Sequence, residues 1–325
     1  MKIVVETPAR LHLGFIDLNG ECGRIFGSIG VALERPRYVL EAIPAGATQP
    51  DGGSEASEIL NAVGDVSGRM GPGGGVTIRE VESIPRHRGF GSGTQRRLAV
   101  AFAVSHLVGK PVSLPELARL VGRGRRSGIG IAVFQRGGLV VDAGRRIGPD
   151  GHPAQDDLDL PPVIFQHPVP EDWYFVIVIP PGTQGLSGHQ EDETFRQLPP
   201  MGQETVGRIS RLTLMKVIPG VMTDDIQGFG EAIGEIQTLV GQYFAPYQGG
   251  IWATSTGKEV AARALERGAY AVGQSSWGPG LFALVRGEDS ARILAQDLRD
   301  LLADTQPSVF YTRVNNRGMI WRREP

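Results

Sequence analysis

Cysteine is almost missing from these 325 residues: Cys22 stands alone, so an internal disulfide, a thiolate-held zinc site and a CxxC redox pair are all excluded. That scarcity suits a reducing compartment. An excess of one charge is missing too. The 33 Lys and Arg nearly balance the 35 Asp and Glu, the net charge is -2, and no block of like charges occurs. A main role in binding nucleic acid or a membrane surface is thereby set aside, and the expected partner is a small molecule. No apolar run reaches the roughly 18 residues that suggest a membrane span. Met1-Lys2-Ile3-Val4-Val5-Glu6 runs straight into a strand pattern, without a signal-peptide h-region. The expectation is a soluble, cytoplasmic chain.

What the chain has in plenty is glycine, 46 residues, about twice the usual share of roughly 7% and without a collagen period. Such glycines do local backbone work, so their positions matter. The length exceeds that of one common domain, and two domains around a cleft are expected. Short Val, Ile and Leu runs at 2–7, 28–43 and 76–81 read as strands. Leu98, Ala99, Phe102, Ala103 and Leu107 then recur at helical spacing, closed by Gly109 and Pro111. Ser113-Leu114-Pro115-Glu116 has the form of a capping box, with Gly122 ending that helix. Residues 129–142 read as strand. The polar, acidic stretch Gly148 to Pro162 suggests a boundary between domains at 1–150 and 163–325. Beyond it, Trp173 to Ile179 has the unbroken apolar character of a strand buried on both faces. Ile226, Phe229, Ile233, Ile236 and Val240 mark an amphipathic helix after Asp224 or Asp225. A helix over 258–267, a strand, glycine loop and strand over 270–285, a helix near 289–303 and a hairpin turning at Asn315-Asn316-Arg317-Gly318 complete an α+β pattern.

The segment Arg88-Gly89-Phe90-Gly91-Ser92-Gly93-Thr94-Gln95 puts three glycines in five residues at the start of a helix. Such a loop turns backbone amides toward one point, and the helix adds its positive dipole end, so an anion is the natural occupant. Arg88, Arg96 and Arg97 bring positive charge, and Ser92 and Thr94 bring hydroxyls. The same glycines would also serve an ordinary tight turn. The sequence is not a Walker A loop, because Gly-Lys-Ser/Thr is lacking.

Thr7-Pro8-Ala9-Arg10-Leu11-His12-Leu13-Gly14, the loop at 89–95 and Gly273-Gln274-Ser275-Ser276-Trp277-Gly278-Pro279 resemble the three ordered motifs of the GHMP kinase superfamily. The resemblance spans essentially the whole chain. It implies a two-domain α+β fold, with an N-terminal domain like part of a ribosomal protein and a second motif that wraps phosphates. Ser127-Gly128-Ile129-Gly130 resembles the Ser-Gly-Ile-Asp segment of mevalonate-type kinases, whose Asp assists deprotonation of the substrate hydroxyl; here that position is Gly130. Losing a placed general base commonly removes about 10²- to 10⁴-fold in rate. Asp142 is the carboxylate that could replace it. An ATP-dependent small-molecule kinase is therefore kept as the alternative reading.

Ala9-Arg10-Leu11-His12-Leu13-Gly14-Phe15-Ile16-Asp17 and Gly23-Arg24-Ile25-Phe26-Gly27-Ser28-Ile29-Gly30, with Gly91-Ser92-Gly93-Thr94-Gln95 and Arg126-Ser127-Gly128-Ile129-Gly130, resemble the β-ribofuranosylaminobenzene 5′-phosphate synthase family. That resemblance implies a decarboxylating ribosyltransferase of methanopterin biosynthesis. Its substrates would be phosphoribosyl pyrophosphate and 4-aminobenzoate or 4-hydroxybenzoate, its products would include carbon dioxide and pyrophosphate, and Mg2+ and a homodimer are also implied. In this light Arg10, His12 and Asp17 are the catalytic candidates. Arg88, Gly89, Gly91, Ser92, Gly93, Thr94 and Gln95 are the pyrophosphate candidates. Arg24, Arg126, Ser127, Gly128, Gly130, Ser275 and Ser276 are the substrate candidates. Arg10 could clamp a phosphate or carboxylate with its planar fork, and His12 would share its strand face. For Asp17 two readings stay open, a partner of His12 or of magnesium and the start of the turn through Asn19-Gly20. The acidic run Gly188 to Glu193 is open between a metal site and a helix start.

Overall fold

The structure is a computed structural model that describes residues 1–46, 49–50, 64, 75–149, 153–154, 160–182, 185 and 188–325. Its first sheet is built on two long strands, β1 (Lys2–Asp17) and β3 (Gly27–Ala45), which pair antiparallel along their length. The short strands β2 (Arg24–Ile25) and β7 (Arg145–Arg146) pair with each other beside it. Alternation along β1 puts Ile3, Val5, Ala9, Leu11 and Leu13 into the main core. β4 (Gln49–Pro50), β5 (Gly75–Glu82), β6 (Leu139–Asp142), β8 (Val163–His167) and β13 (Ile320–Glu324) extend this sheet to seven strands among the described residues. The second sheet is antiparallel throughout, in the order β10 (Ala271–Gln274), β11 (Leu281–Arg286), β9 (Trp173–Ile179), β12 (Ser308–Arg313).

Every residue of β9 is buried, as its unbroken apolar run predicts. Trp173, Phe175 and Ile177 join the core shared with the first sheet, and Tyr174, Val176 and Val178 join a second core. The helices explain both faces. α7 (Ile226–Gln248) lays Ile226, Phe229, Ile233, Ile236, Val240 and Phe244 on one side, while α8 (Ser255–Glu266) and α9 (Glu288–Leu301) cover the other with Val260, Ala264, Leu294 and Leu298. Asp225 caps α7 by accepting from the Gly228 amide at 2.9 Å, an arrangement that stabilises a helix start by about 1 kcal/mol. α1 (Ser92–Leu107) packs beneath β1 and β3 through Leu98, Ala99 and Ala103. α2 (Leu114–Leu120) is capped by Ser113, whose hydroxyl accepts from Glu116 N at 3.4 Å.

Three expectations are corrected. Residues 129–136 are not strand but the helix α3 (Ile129–Arg136), and the strand begins only at Leu139. Ile129, Ala132 and Val133 pack with Ala32 and Val140 in a small core of their own, so burial on a helical face overrides the strand preference of a β-branched run. The stretch at 148–162 does not separate the sheets, because β8 and β13 both pair in the first one. The segment around Asn315-Gly318 does not close a hairpin. β12 stays beside β9, whereas β13 crosses to β1, with Val4 opposite Arg322. Asn316 holds the crossing segment by bonding both the amide and the carbonyl of Val169. The acidic run at 188 begins α4 (Gly188–Gln197), and α5 (Gln203–Leu212) and α6 (Ile218–Met222) follow it. None of the described helices is long and apolar enough to cross a membrane.

Candidate functional site

The loop before α1 is held by two other segments. β1 reaches it through Arg10 N, which donates to Phe90 O at 3.1 Å. The Gly89 carbonyl then accepts from the Arg10 guanidinium at 2.9 Å and from the Ser275 hydroxyl at 2.6 Å. Ser275 Oγ in turn accepts from His12 N at 2.9 Å. Residues 79 and 186 positions away in sequence thus meet at one carbonyl oxygen. Gly89 has φ +86°, and a methyl group there would overlap the Ser275 carbonyl; Gly91 has φ +73°, and its methyl would lie 2.8 Å from Arg10 Cγ. Both glycines are therefore required by backbone conformation and by close approach.

Arg10 is half-buried, and desolvation lowers its pKa to about 10, with Glu191 opposing the shift and Arg126 adding to it. Arg126 lies alongside, bonded to Glu191 at 2.7 Å and stacked over the Phe195 ring at 5.0 Å. Burial holds the His12 imidazole well below the ordinary histidine range, and the positive charges of Arg10 and Arg126 push it further, so His12 is neutral. Its Nε2 is buried without a hydrogen-bond partner. The His12 ring lies 4.4 Å from Phe15, which contacts Phe195 at 5.7 Å and Phe244 at 6.1 Å, and Trp277 lies 4.2 Å from Phe244. Two guanidinium groups and a neutral imidazole accordingly border an aromatic nest. Such a site can neutralise an anion and hold a flat ring beside it.

Other candidates sit elsewhere. Asp17 does not reach His12; its Oδ1 accepts from Asn19 N at 2.7 Å and Gly20 N at 2.9 Å, so it shapes the turn. Gln95 points inward, joining Thr7 Oγ1 to the Gly130 carbonyl. Arg96, expected to lend charge to the loop, is buried under Tyr38 and bonded to Glu80 at 2.8 Å. Arg88 donates to Pro180 O at 2.8 Å. Ser92 and Gly93 open α1, and a side chain on Gly130 would press on Thr94 at 2.9 Å. Arg24 bonds the carbonyls of Ala143 and Gly144. Ser127 and the Gly128 amide both bond Asp142 Oδ2, and Gly144 N bonds its Oδ1. Asp142 is fully buried, and desolvation raises its pKa to about 7. Ser276, at φ +56°, borders the cleft beyond His12. Phe195, Phe244 and Gln237 carried no sequence signal of their own, and Glu191 was marked only as part of the acidic run Gly188 to Glu193. Their one trace was position, since Glu191 and Phe195 stand four apart on α4. Among the described residues no group of three or more His, Cys, Asp or Glu side chains gathers as a metal site.

Comparison with known proteins places this architecture. Residues 56–138 match the model of the GHMP kinases N terminal domain. Among solved structures, mevalonate diphosphate decarboxylase from Staphylococcus aureus superposes with a TM-score of 0.68 at 15% identity, covering 99% of this chain and 98% of its own. Homoserine kinase from Cytophaga hutchinsonii gives 0.67 at 17%, covering 99% and 97%. These likenesses establish the GHMP-kinase-like α+β fold alone. Curated relatives are nearer in sequence. A β-ribofuranosylphenol 5′-phosphate synthase of Methanothermobacter thermautotrophicus is 34% identical over 303 residues, 87% of this chain and 89% of the relative. The protein of the same name from Archaeoglobus fulgidus is 34% identical over 97% of this chain and 98% of its own length. That level of identity, carried along nearly the whole length and joined to the fold, means that the chain belongs to the β-ribofuranosylphenol 5′-phosphate synthase family.

Proposed function

We propose that this enzyme transfers the phosphoribosyl group of phosphoribosyl pyrophosphate to the carboxylate-bearing ring carbon of 4-hydroxybenzoate, with loss of carbon dioxide and pyrophosphate. The observation that carries this reading is the aromatic nest at Phe15, Phe195 and Phe244, with Arg126 stacked on the Phe195 ring and Arg10 within electrostatic reach of Arg126. The relatives' printed names support it and favour the hydroxyl over the amino compound.

The para hydroxyl pushes electron density onto the ring carbon that bears the carboxylate. That carbon attacks the anomeric carbon as pyrophosphate departs, and loss of carbon dioxide restores aromaticity. No aliphatic hydroxyl has to be deprotonated, which agrees with a glycine at position 130. Arg10, Arg126 and the start of α1 would stabilise the departing negative charge, and the aromatic walls would hold the ring and keep water out. The expected Mg2+ finds no resident carboxylate cluster among the described residues. The kinase alternative needs an acid over the transferred phosphate, and Asp142, buried among Ser127, Gly128 and Gly144, does not supply one.

The test is to incubate the purified protein with phosphoribosyl pyrophosphate, Mg2+ and carboxyl-labelled 4-hydroxybenzoate or 4-aminobenzoate. Labelled carbon dioxide is expected. Release from neither compound would overturn the proposal.

A further inference from the structure

We infer that the cleft between β1 and α7 is the seat of the aromatic acceptor, with the His12 imidazole meeting the hydroxyl para to the carboxylate. This assignment rests on the reaction proposed above and names the binding site for one of its substrates. The cleft is bordered by Phe15, Val240, Phe244 and Ile251, and His12 belongs to the same wall. The rings of Phe15 and Phe244 stand 6.1 Å apart at 73°, an edge-to-face pair that offers apolar surface to a flat ligand.

The glutamines of that wall are already engaged. Gln237 donates to Leu13 O and accepts from Gln274 N, both at 2.8 Å. Gln274 accepts from Ala253 N and donates to Gln248 and to the Ser276 carbonyl. His12 is 3% exposed and its Nε2 has no partner, a condition that is rare unless a ligand or water completes it. Trp277 Nε1, in the ring against Phe244, is a second buried donor left without one. The site therefore lacks a polar partner at the edge of an aromatic slot, and a phenol supplies both halves of what it lacks.

The hydroxyl keeps its proton throughout, hydrogen-bonded to His12 Nε2. The ring carbon forms its bond to the anomeric carbon, and the C–O bond to pyrophosphate breaks and takes its electron pair with it. The bond to the carboxylate then breaks, its electron pair returns to the ring and carbon dioxide leaves. An imidazole kept neutral by burial and by two nearby guanidinium groups is suited to accept a hydrogen bond and not the proton.

Calorimetric titration of the wild-type protein with 4-hydroxybenzoate and with benzoate, each with and without pyrophosphate, tests the assignment independently of turnover. About tenfold tighter binding of the hydroxy compound is expected from one hydrogen bond to a buried group. His12→Phe should bind the two compounds equally, and Phe244→Leu should weaken both together. His12→Asn and thermal melting of all variants control for folding. A hydroxyl preference that survives in both His12 variants, or wild-type protein that binds neither compound, would overturn the assignment. If the expected binding pattern is found but no labelled carbon dioxide is released, the reaction fails and the seat stands. If carbon dioxide is released but the hydroxyl preference is unchanged, the seat fails and the reaction stands.

Discussion

At Gly89 one carbonyl oxygen receives both the Arg10 guanidinium and the Ser275 hydroxyl, and the residue itself sits at φ +86° with no room for a methyl group. Two penalties would add in a Gly89→Ala variant, the left-handed backbone conformation and the overlap with Ser275. We expect a loss of roughly 2–4 kcal/mol, measurable as a lowered urea midpoint, with little change in far-UV circular dichroism. These glycines were legible in the sequence because a glycine-rich turn before a helical pattern has few uses. Gly130 was legible by its departure from a motif, and the structure adds the reason a side chain is unwelcome there, the nearby Thr94. The aromatic nest was not legible. Phe15, Phe195 and Phe244 come from three distant segments, and only tertiary packing brings them to one place.

The helix α3 owes its placement to a carboxylate outside it. Asp142 binds Ser127, Gly128 and Gly144, and so ties the loop before α3 to the end of β6. Its folded pKa, about 7, lies above the ordinary value of 3.8. Between those two values the folded chain holds a proton that the unfolded chain has released, so stability from this group is greatest at low pH and falls as pH rises toward about 7. An Asp142→Asn variant cannot make this change. The difference in unfolding free energy between wild type and variant should therefore shift in the variant's favour from pH 5 to pH 7, as followed by denaturant melts. A difference that does not vary with pH would refute the raised value. The misreading of α3 as strand has the same origin: the run from Ile129 to Phe134 looks like a strand locally, and the partners that make it a helix, Ala32 and Val140, lie elsewhere in the chain.

At the scale of the whole molecule the α+β mixture of strands and helices was foreseen but the allocation of strands to sheets was not. The sequence places a turn at Asn315-Gly318, yet local turn chemistry cannot tell a hairpin from a crossing; the outcome was decided by the open edge of β1. β13 fills that edge from Lys2 to Glu6 opposite Glu324 to Ile320, and Lys2 bonds Glu324 at 3.1 Å. Trp321 rests on His106 and Phe102 of α1. Removing residues 320–325 should lower stability by roughly 2–4 kcal/mol, on the net worth of a few backbone hydrogen bonds. It should also promote association through the bared edge, which size-exclusion chromatography would reveal as larger species. An unchanged melting temperature and an unchanged elution volume would argue against that role for β13.

The crossing of β13 also sets an order of events during synthesis. β1 ends at Asp17, and the strand that completes its edge begins only at Ile320, some 300 residues later. Until β13 is made, the growing chain carries an incomplete sheet. Over that interval the nascent protein is exposed along the bare edge to chaperones and to its own copies.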